Sequence, residues 1–278
     1  MDIIEIIKAI ILGIVEGITE WLPISSTGHM ILVDEFLKLN VSAEFLEMFL
    51  VVIQFGAILA VIVTFWNKLF PFTFKGGFGI KKETFNMWFK VIAACLPAAV
   101  VGLLFDDKLN ELFYNYQTVA ITLIVFGIAF ILIENYNKSK TPVINDIPSI
   151  TYKTALIIGL FQLIAAIFPG TSRSGATILG ALLIGVSRTT AAEFTFFLAV
   201  PTMLGASLLK LVKFGLVFTA QEAVLLITGM AVAFVVSMVT IKFLMGYIKK
   251  HDFKVFGWYR IILGLIVIDY FLIKMFIQ

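Results

Sequence analysis

Charged residues are scarce in this chain of 278 residues: 14% are Asp, Glu, Lys or Arg, whereas 60% are hydrophobic. The mean hydropathy is +1.04. A water-soluble domain of this size does not need so much apolar surface. The composition therefore excludes a soluble globular protein and indicates a chain that crosses a membrane several times. The net charge of +3 is too small to indicate a nucleic-acid partner.

Cysteine, histidine and arginine are also rare. Cys95 is the only cysteine, which excludes an intrachain disulfide and a cysteine metal cluster. Two histidines, His29 and His251, are too few for a histidine-rich metal site. The arginines are Arg173, Arg188 and Arg260. An arginine inside an apolar stretch is therefore conspicuous in this chain.

Six apolar segments are long enough to cross a membrane, since a helix needs roughly 20 such residues to span a hydrocarbon core of about 30 Å. These predicted spans are residues 45–66, 88–105, 118–133, 194–212, 223–244 and 256–273. Four further apolar stretches are short or interrupted by charge, at 3–22, 30–39, 155–168 and 176–186. The pattern predicts an all-α integral membrane protein.

An internal repeat relates two parts of the chain. Residues 11–26 align without a gap with residues 157–172. The alignment places Gly13 on Gly159, Glu16 on Gln162, Pro23 on Pro169 and Ser26 on Ser172. The first copy supplies carboxylates and a histidine, whereas the second supplies an arginine in a turn rich in hydroxyls and glycine. Two such half-sites facing each other would form an anion-binding hydrolytic centre.

The four shorter stretches form two pairs, each hinged on the repeated proline motif. Short segments interrupted by glycine and proline at matching positions of two halves are typical of re-entrant hairpins that line a binding site. We therefore predict two re-entrant helical hairpins, at residues 3–39 and 154–187. The non-helical turns of such hairpins are tolerated only where they are buried in protein or line a wet cavity.

The repeat predicts one membrane domain, residues 1–278, made of two halves. Repeat 1–136 and repeat 150–278 each contain one hairpin and three spans. Because three crossings are an odd number, the second half enters from the opposite side, which makes the arrangement an inverted-topology repeat.

Lysines predict the orientation of this fold. They are concentrated in the loops at 67–87, 136–152 and 246–255, whereas the opposite loops, including residues 106–111, are mainly acidic. The positive-inside rule places the lysine-rich loops in the cytoplasm and both termini outside. The site is then expected to open to the extracytoplasmic side.

Glu16 and Glu20 are four residues apart on a predicted helix, so their Cβ atoms are expected to lie roughly 5–6 Å apart on one face. Two like charges inside a membrane are unfavourable unless a cation compensates them. That cation is expected to be a divalent metal, Arg173, or both, and oxygen ligands favour Mg²⁺ or Ca²⁺. The alternative is a helix at the membrane interface, with both carboxylates in water.

The turn after Pro23 carries Ser25, Ser26, Thr27 and His29. Ser25 is as well explained by an N-cap as by a catalytic role. Ser26 with His29 nearby is more specific, because a hydroxyl needs an adjacent base to become a nucleophile. We expect the imidazole within hydrogen-bond reach of the Ser26 hydroxyl. The alternative for the histidine is a ring satisfied by backbone at a helix N-terminus.

The second turn, residues 169–175, is the stronger motif. Its glycines allow close approach of a ligand, and a helix that starts there presents free N–H groups to an anion. Arg173 adds a planar fork of donors suited to phosphate oxygens. Gln54, in the middle of the first span, is a weaker candidate, since a lone glutamine in a bundle more often forms an interhelical hydrogen bond.

Residues 16–29 and 169–177 resemble the two signature motifs of the bacterial undecaprenyl-diphosphate phosphatases, also called bacitracin-resistance proteins. The resemblance extends over essentially the whole chain, and both motifs are long and intact. It implies an integral membrane, metal-dependent hydrolase that removes the terminal phosphate of undecaprenyl diphosphate and so recycles the lipid carrier of cell-wall synthesis. The functional residues that it implies are Glu16, Glu20, Ser26, His29, Ser172 and Arg173.

The function expected from residues and resemblance together is hydrolysis of a polyprenyl diphosphate where the two hairpins meet, in the bacterial plasma membrane. The catalytic candidates are Ser26, His29, Glu20 and Arg173. The substrate-binding candidates are Ser25, Thr27, Gly170, Thr171, Ser172, Ser174 and Gln54. The metal-ligand candidates are Glu16 and Glu20, for Mg²⁺ or Ca²⁺. The expected partners are the polyprenyl diphosphate and membrane lipid. The sequence is also compatible with a homodimer.

Two alternatives differ in mechanism or class. The attacking group is either Ser26, through a phosphoserine, or water activated by His29 and a glutamate. A transporter that moves the lipid phosphate shares the inverted repeat and broken helices, but it does not need a nucleophile, a base and carboxylates together. The phosphatidic-acid phosphatase fold is rejected, because the pair His251 and Asp252 is predicted on the opposite membrane face from the first turn.

Overall fold

The computed structural model describes residues 2–74, 78–215 and 217–277, apart from the side chains at 34, 106 and 277. Within these residues the fold is helical, with one short ribbon. The helices are α1 (Ile3–Thr19), α2 (Ser26–Phe36), α3 (Ala43–Thr64), α4 (Trp66–Leu69), α5 (Lys82–Phe113), α6 (Tyr116–Asn137), α7 (Tyr152–Ile167), α8 (Arg173–Leu183), α9 (Arg188–Phe214), α10 (Ala220–Tyr247) and α11 (Lys254–Ile277). In the ribbon, β1 (Phe72–Thr73) pairs antiparallel with β2 (Gly79–Ile80), and Phe72 lies opposite Ile80.

Six of the described helices are long and apolar enough to cross a membrane, which confirms the six predicted spans. They are α3, α5, α6, α9, α10 and α11. The largest difference is in α5, which begins at Lys82 and ends at Phe113. Residues 106–111, which the sequence predicted as a loop, are therefore helical. No proline or glycine interrupts the chain between Leu103 and Tyr114, so nothing in the sequence ends the helix earlier.

The four shorter apolar stretches become α1, α2, α7 and α8, each pair joined by a turn at the repeated motif. Helix α8 is the most enclosed of these four, since every residue from Ser174 to Leu182 is buried. A helix that is covered on all sides belongs to the interior of the bundle. The second turn is thereby held at the centre of the molecule.

The first helix of each half packs on a span of the other half: α1 lies against α10, and α7 lies against α5. The aligned glycines make both contacts close. A methyl group at Gly13 would lie 2.7 Å from the carbonyl oxygen of Gly229, and one at Gly159 would lie 2.2 Å from that of Ala94. Small residues of this kind allow helix backbones to approach in a membrane. The two halves are therefore interlocked.

A layer of buried aromatic rings lies beside the first turn. The ring of Trp21 meets that of Phe196 edge to face at 5.3 Å, and Phe65 contacts both Phe196 and Phe197. Trp21, Phe196 and Phe197 are fully buried. Edge-to-face aromatic pairs combine large apolar burial with a preferred geometry, so this layer fixes the end of α1 against α9.

Candidate active site

The two turns share an unusual backbone. Ser25 and Ser172 both have a positive φ, at 75° and 68°, a region that side chains other than glycine rarely occupy. Each is the N-cap of the next helix: Ser25 Oγ accepts from the Gly28 N–H at 3.2 Å, and Ser172 Oγ accepts from the Gly175 N–H at 3.1 Å. Strained residues of this kind persist where the surrounding structure holds them, and they cluster at functional sites.

This shared geometry corrects the gap-free alignment. The sequence placed Ser26 on Ser172, but the caps make Ser25 the equivalent of Ser172, and Gly28 the equivalent of Gly175. The reason is one additional residue between the proline and the cap in the second turn. Ser26 and Arg173 are then equivalent, because each is the first residue of its helix. The twofold repeat therefore presents a hydroxyl from one half and a guanidinium from the other.

Glu20 connects the two turns. Its Oε2 accepts from Ser26 Oγ at 3.0 Å, and its Oε1 accepts from Arg173 Nη2 at 2.9 Å. Its backbone oxygen accepts from Ser174 Oγ, also at 3.0 Å. The residue is buried, and it caps the C-terminal end of α1. One carboxylate thus aligns the candidate nucleophile of the first turn with the arginine of the second.

Arg173 is held on three sides. Besides Glu20, its Nη1 donates to the backbone oxygen of Thr195 on α9 at 3.1 Å, and its guanidinium lies 5.9 Å from the ring centre of Trp21. Its Nε is buried without a hydrogen-bond partner in the described residues. The carboxylate partner that the sequence did not reveal in the same half is thus Glu20, from the other half. A donor on the guanidinium remains for a phosphate oxygen.

Glu16 lies one turn before Glu20, and it is almost completely buried. Its Oε1 has no hydrogen-bond partner in the part of the chain that the structure describes. Burial raises the pKa of Glu16 well above its ordinary value, and the neighbouring Glu20 carboxylate raises that pKa further, whereas Arg173 opposes the rise. A buried carboxylate oxygen without a donor is unfavourable unless a cation or a proton binds it.

The predicted hydrogen bond between Ser26 and His29 is absent. His29 Nδ1 lies 2.7 Å from the backbone oxygen of Ser25, and Nε2 lies 2.8 Å from the hydroxyl of Tyr259. Because a carbonyl oxygen can only accept, Nδ1 carries the proton and the neutral ring accepts from Tyr259 through Nε2. Both ring nitrogens are thus engaged, and the base adjacent to Ser26 is Glu20. Burial lowers the pKa of His29 below its ordinary value of 6.5.

Arg260 is a site residue that the sequence reasoning did not use. Its guanidinium is fully buried on α11 and donates to backbone oxygens of both turns: Pro23 at 3.2 Å, Gly170 at 3.0 Å and Thr171 at 2.8 Å. The signal was available, because Arg260 is one of three arginines and lies within a predicted span. Tyr259, which contacts His29, carried no such signal, because its partner is 230 residues away in the chain.

The remaining candidates divide into turn residues and a distant one. Ser172 Oγ lies 3.2 Å from Ser174 Oγ, and the buried Thr171 Oγ1 has no partner among the described residues. Gly170 has a φ of 86°, and a methyl group there would lie 2.4 Å from Thr122 Oγ1, so only glycine fits. Among the described hydrogen bonds, none joins Thr27 to the site, and the same is true of Gln54 on α3. These two candidates therefore gain no support from the geometry.

The assembled site can bind an anion and move a proton. The helices α2 and α8 both begin at it, and the N–H groups of a first helical turn attract negative charge. Arg260 adds a buried positive charge that no described carboxylate pairs with. Ser26 offers a hydroxyl to an incoming group, and Glu20 is placed to accept its proton. The described residues contain no cluster of three or more acidic, histidine or cysteine ligands, so a metal here would rest on the two glutamates.

Comparisons with known proteins cover the whole of this arrangement. The family model of bacitracin resistance protein BacA matches residues 9–266. The undecaprenyl-diphosphatase of Desulfitobacterium hafniense is 70% identical over 271 residues, which is 98% of each chain. Undecaprenyl-diphosphatase 1 of Clostridium acetobutylicum is 68% identical over 273 residues, which is 98% of this chain and 100% of the relative. An undecaprenyl-diphosphatase of Enterococcus faecalis is 65% identical over 270 residues, or 96% and 98% of the two chains.

Proposed function

Because the chain belongs to the bacitracin resistance protein BacA family, we propose that its two facing turns form the active site of a membrane phosphatase. The activity is hydrolysis of undecaprenyl diphosphate to undecaprenyl phosphate and inorganic phosphate. This reaction recycles a lipid carrier and confers resistance to bacitracin. The observation that carries the proposal is the position of Glu20, whose carboxylate contacts Ser26 and Arg173 at the same time.

The residues divide the work of phosphoryl transfer. Arg173 and the first turns of α2 and α8 hold the negatively charged diphosphate. Arg260, which donates to backbone oxygens of both turns, adds a further positive charge. Transfer of a phosphoryl group depends mainly on such positioning and charge stabilisation. Glu20 acts as the base. His29, held neutral between Ser25 and Tyr259, positions the first turn of α2.

Two attacking groups are compatible with this arrangement. In the first route, Ser26 Oγ attacks the terminal phosphorus, its proton passes to Glu20, and undecaprenyl phosphate leaves. Water then attacks the phosphoserine, and inorganic phosphate is released. In the second route, water gives its proton to Glu20 and attacks the phosphorus directly, while the Ser26 hydroxyl binds a phosphate oxygen. The hydrogen bond from Ser26 to Glu20 favours the first route, since a hydroxyl needs an adjacent base.

A divalent cation fits the glutamates of α1, and we include it in the proposal. The buried Glu16 Oε1 lacks a donor, and two adjacent carboxylates with substrate phosphate oxygens are a donor set that Mg²⁺ or Ca²⁺ accepts. Glu16 and Glu20 would hold the ion. When bound, it would neutralise charge on the diphosphate and on the two carboxylates.

The membrane arrangement is part of the same proposal. The pairs α1–α2 and α7–α8 are interpreted as re-entrant hairpins of an inverted repeat, and the exchanged packing of α1 on α10 and α7 on α5 supports this interpretation. The lysine distribution favours a site that opens to the extracytoplasmic face of the bacterial plasma membrane. Both turns come from one chain, so a homodimer is not needed to complete the site.

Phosphate release from undecaprenyl diphosphate by the purified protein in detergent micelles tests the proposal. We expect turnover without an intact membrane, loss of turnover with EDTA, and recovery with Mg²⁺ or Ca²⁺. Phosphate release that is insensitive to EDTA would remove the metal from the proposal and leave the rest. Absence of release in detergent, together with movement of labelled undecaprenyl phosphate across proteoliposomes, would favour the transporter instead.

The stereochemical course at a chiral terminal phosphorus distinguishes the two routes. Two displacements through a phosphoserine retain the configuration, whereas direct attack by water inverts it. We expect retention, and a rapid acid quench should trap the phosphoryl group on Ser26. Inversion, with substantial turnover in Ser26→Ala, would assign the attack to water.

A further inference from the structure

A cavity bordered by several charged side chains lies apart from the two turns and contains none of their residues. Its volume is about 870 Å³, which is within the range of small-molecule sites. It is bounded by the end of α4, the first two turns of α5, residues 145–148 and the beginning of α9. Two candidate spans, α5 and α9, begin at this cavity, so we infer that it lies at a membrane edge.

The lining is rich in lysine. Four lysines and three carboxylates border the cavity: Lys68, Lys81, Lys82, Lys90, Glu83, Asp146 and Glu193. Two of these charges neutralise each other, since Lys68 Nζ lies 2.6 Å from Glu193 Oε1. The carboxylate of Asp146 is engaged by the Ser149 N–H at 2.9 Å. That hydrogen bond leaves the charge of Asp146 in place, so three lysines remain against two carboxylates and the lining keeps one excess positive charge.

Lys90 is the residue that makes this lining a site. It is only 6% exposed, and its ammonium has one hydrogen bond, to the backbone oxygen of Pro148 at 3.1 Å. No carboxylate in the described part of the chain lies within ion-pair distance of Lys90. A buried ammonium without an anion is costly, because burial removes most of its hydration and one carbonyl oxygen replaces only part of it. Lys90 is nevertheless placed where it lines the cavity.

Two helices begin beside this cavity. Helix α5 begins at Lys82 without a side-chain cap, so its first N–H groups are not bonded by a capping side chain. Helix α9 begins at Arg188 beside Thr189 and Thr190, which also line the cavity. The N-terminus of α9 is capped by Ser187, so the uncapped start of α5 and the buried cation are the features that favour an anion with several acceptor oxygens.

We propose that this cavity binds a phosphate group, from an anionic lipid headgroup or from free phosphate, with Lys90 as its buried cation. Three donors on one ammonium suit the oxygens of a phosphate as a compact point charge. The position at a membrane edge places the cavity where anionic headgroups are concentrated. The proposal does not depend on the phosphatase mechanism, because Lys90 does not contact the two turns.

Lys90→Met tests the proposal, because methionine has a similar length and volume without the charge. Lys153→Met is the matched control: Lys153 is exposed at the start of α7 and does not line the cavity. In the first arm, the thermal midpoint of each protein in detergent is measured against inorganic phosphate concentration. A ligand that binds only the folded state raises the midpoint. In the second arm, the proteins are placed in nanodiscs of phosphatidylcholine with or without phosphatidylglycerol, and retained lipid is counted by native mass spectrometry.

We expect both proteins to release phosphate from substrate at the wild-type rate. The phosphate-dependent rise, or the retention of one phosphatidylglycerol, should be reduced at least tenfold in apparent affinity only in Lys90→Met. Loss confined to the first arm identifies free phosphate, and loss confined to the second identifies the lipid. Equal behaviour of the two variants in both arms would overturn the proposal. If Lys90→Met does not fold, Lys81→Met at the mouth of the cavity should weaken the same binding, and an unchanged affinity there would also overturn it.

Discussion

At the scale of single residues, Glu20 is the side chain that joins the candidate nucleophile of one turn to the arginine of the other. Its carboxylate accepts one hydrogen bond from the Ser26 hydroxyl in its own turn and another from the Arg173 guanidinium in the other half of the chain. The spacing of Glu20 from Glu16 predicted a compensating cation, and Arg173 is one such cation. The contact with Ser26 is not encoded in that spacing. Replacement of Glu20 therefore separates a catalytic role from a structural one.

Glu20→Gln is expected to leave the protein folded and to reduce turnover by about 10²–10⁴-fold, the usual contribution of a general base. The amide retains a hydrogen bond but cannot take a proton. Glu47→Gln is the control, because Glu47 is an exposed carboxylate paired with Lys210 away from the turns. Phosphate release and the thermal midpoint are measured together. Turnover in Glu20→Gln within tenfold of wild type would exclude Glu20 as the base.

Ser25 and Ser26 should separate stability from catalysis. Ser25→Ala removes an N-cap, which is expected to cost about 1 kcal/mol of stability, and to leave the turnover of the folded protein close to wild type. Ser26→Ala removes no cap, so its midpoint should be unchanged while turnover falls by orders of magnitude. Thermal melts and phosphate release on the same samples provide both values. The reverse pattern would place the reacting hydroxyl at Ser25.

At the scale of elements, corresponding helices of the two halves differ in how closely they pack against their neighbours. Gly56 on α3 and Gly205 on α9 correspond, since each is followed by alanine and both lie 12 residues after a Glu-Phe pair's glutamate, Glu44 and Glu193. A methyl group at Gly56 would lie 2.0 Å from the carbonyl oxygen of Met230, whereas no described residue lies within 4 Å of one at Gly205. Helix α3 is therefore pressed against α10, and the corresponding face of α9 is open. A difference of this kind cannot be seen in an alignment, since both positions are glycine.

Gly56→Ala is expected to destabilise the protein by about 1–3 kcal/mol, the usual cost of overpacking. Gly205→Ala should be neutral, or stabilising by up to about 1 kcal/mol through helix propensity. The two variants differ from wild type by the same methyl group, so each controls for the other. The thermal midpoints in one detergent give the comparison. Equal midpoints would mean that α3 and α9 are packed alike.

Arg260 connects α11 to both turns, and its loss should act on fold and function together. Arg260→Met leaves backbone oxygens of Pro23, Gly170 and Thr171 without their donor. Each buried polar group left unsatisfied costs about 1–3 kcal/mol. Both the thermal midpoint and kcat should therefore fall, and Arg260→Lys should restore part of each. A variant with a normal midpoint but no activity would instead indicate direct contact between Arg260 and substrate.

The sequence predicted the elements better than the contacts. Six spans and four shorter helices follow from apolar length and from the proline and glycine motifs, because these signals are local. The predicted hydrogen bond between Ser26 and His29 was wrong. Their proximity in one turn suggested a pair, but Ser26 donates to Glu20 and His29 contacts Tyr259. The helical residues 106–111 were also missed, because acidic side chains were read as a loop. Contacts between halves depend on packing that no local pattern records.

At the scale of the whole molecule, the distribution of lysines predicts the orientation in the membrane. Both termini and residues 106–111 are predicted outside, with Lys81 and Lys249 in the cytoplasm. Single cysteines at Lys81, Lys249 and Glu111, in a Cys95→Ala background, can be labelled with an impermeant thiol reagent. Intact cells should be labelled only at position 111, and lysed cells at all three. Labelling of position 81 in intact cells would reverse the orientation and the face from which substrate enters.

The ion pair between Glu20 and Arg173 also has a consequence for selectivity. The carboxylate is tethered to the chain beside the guanidinium, so every anion that approaches meets an intramolecular competitor already in place. Singly charged anions such as chloride or acetate offer no more charge than the carboxylate they would displace. A diphosphate offers more, and its additional oxygens are expected to accept from Arg173 Nε, which has no partner among the described residues. In the proposed mechanism, we therefore expect the tethered carboxylate to select ligands by charge, and its return to Arg173 to favour release of inorganic phosphate.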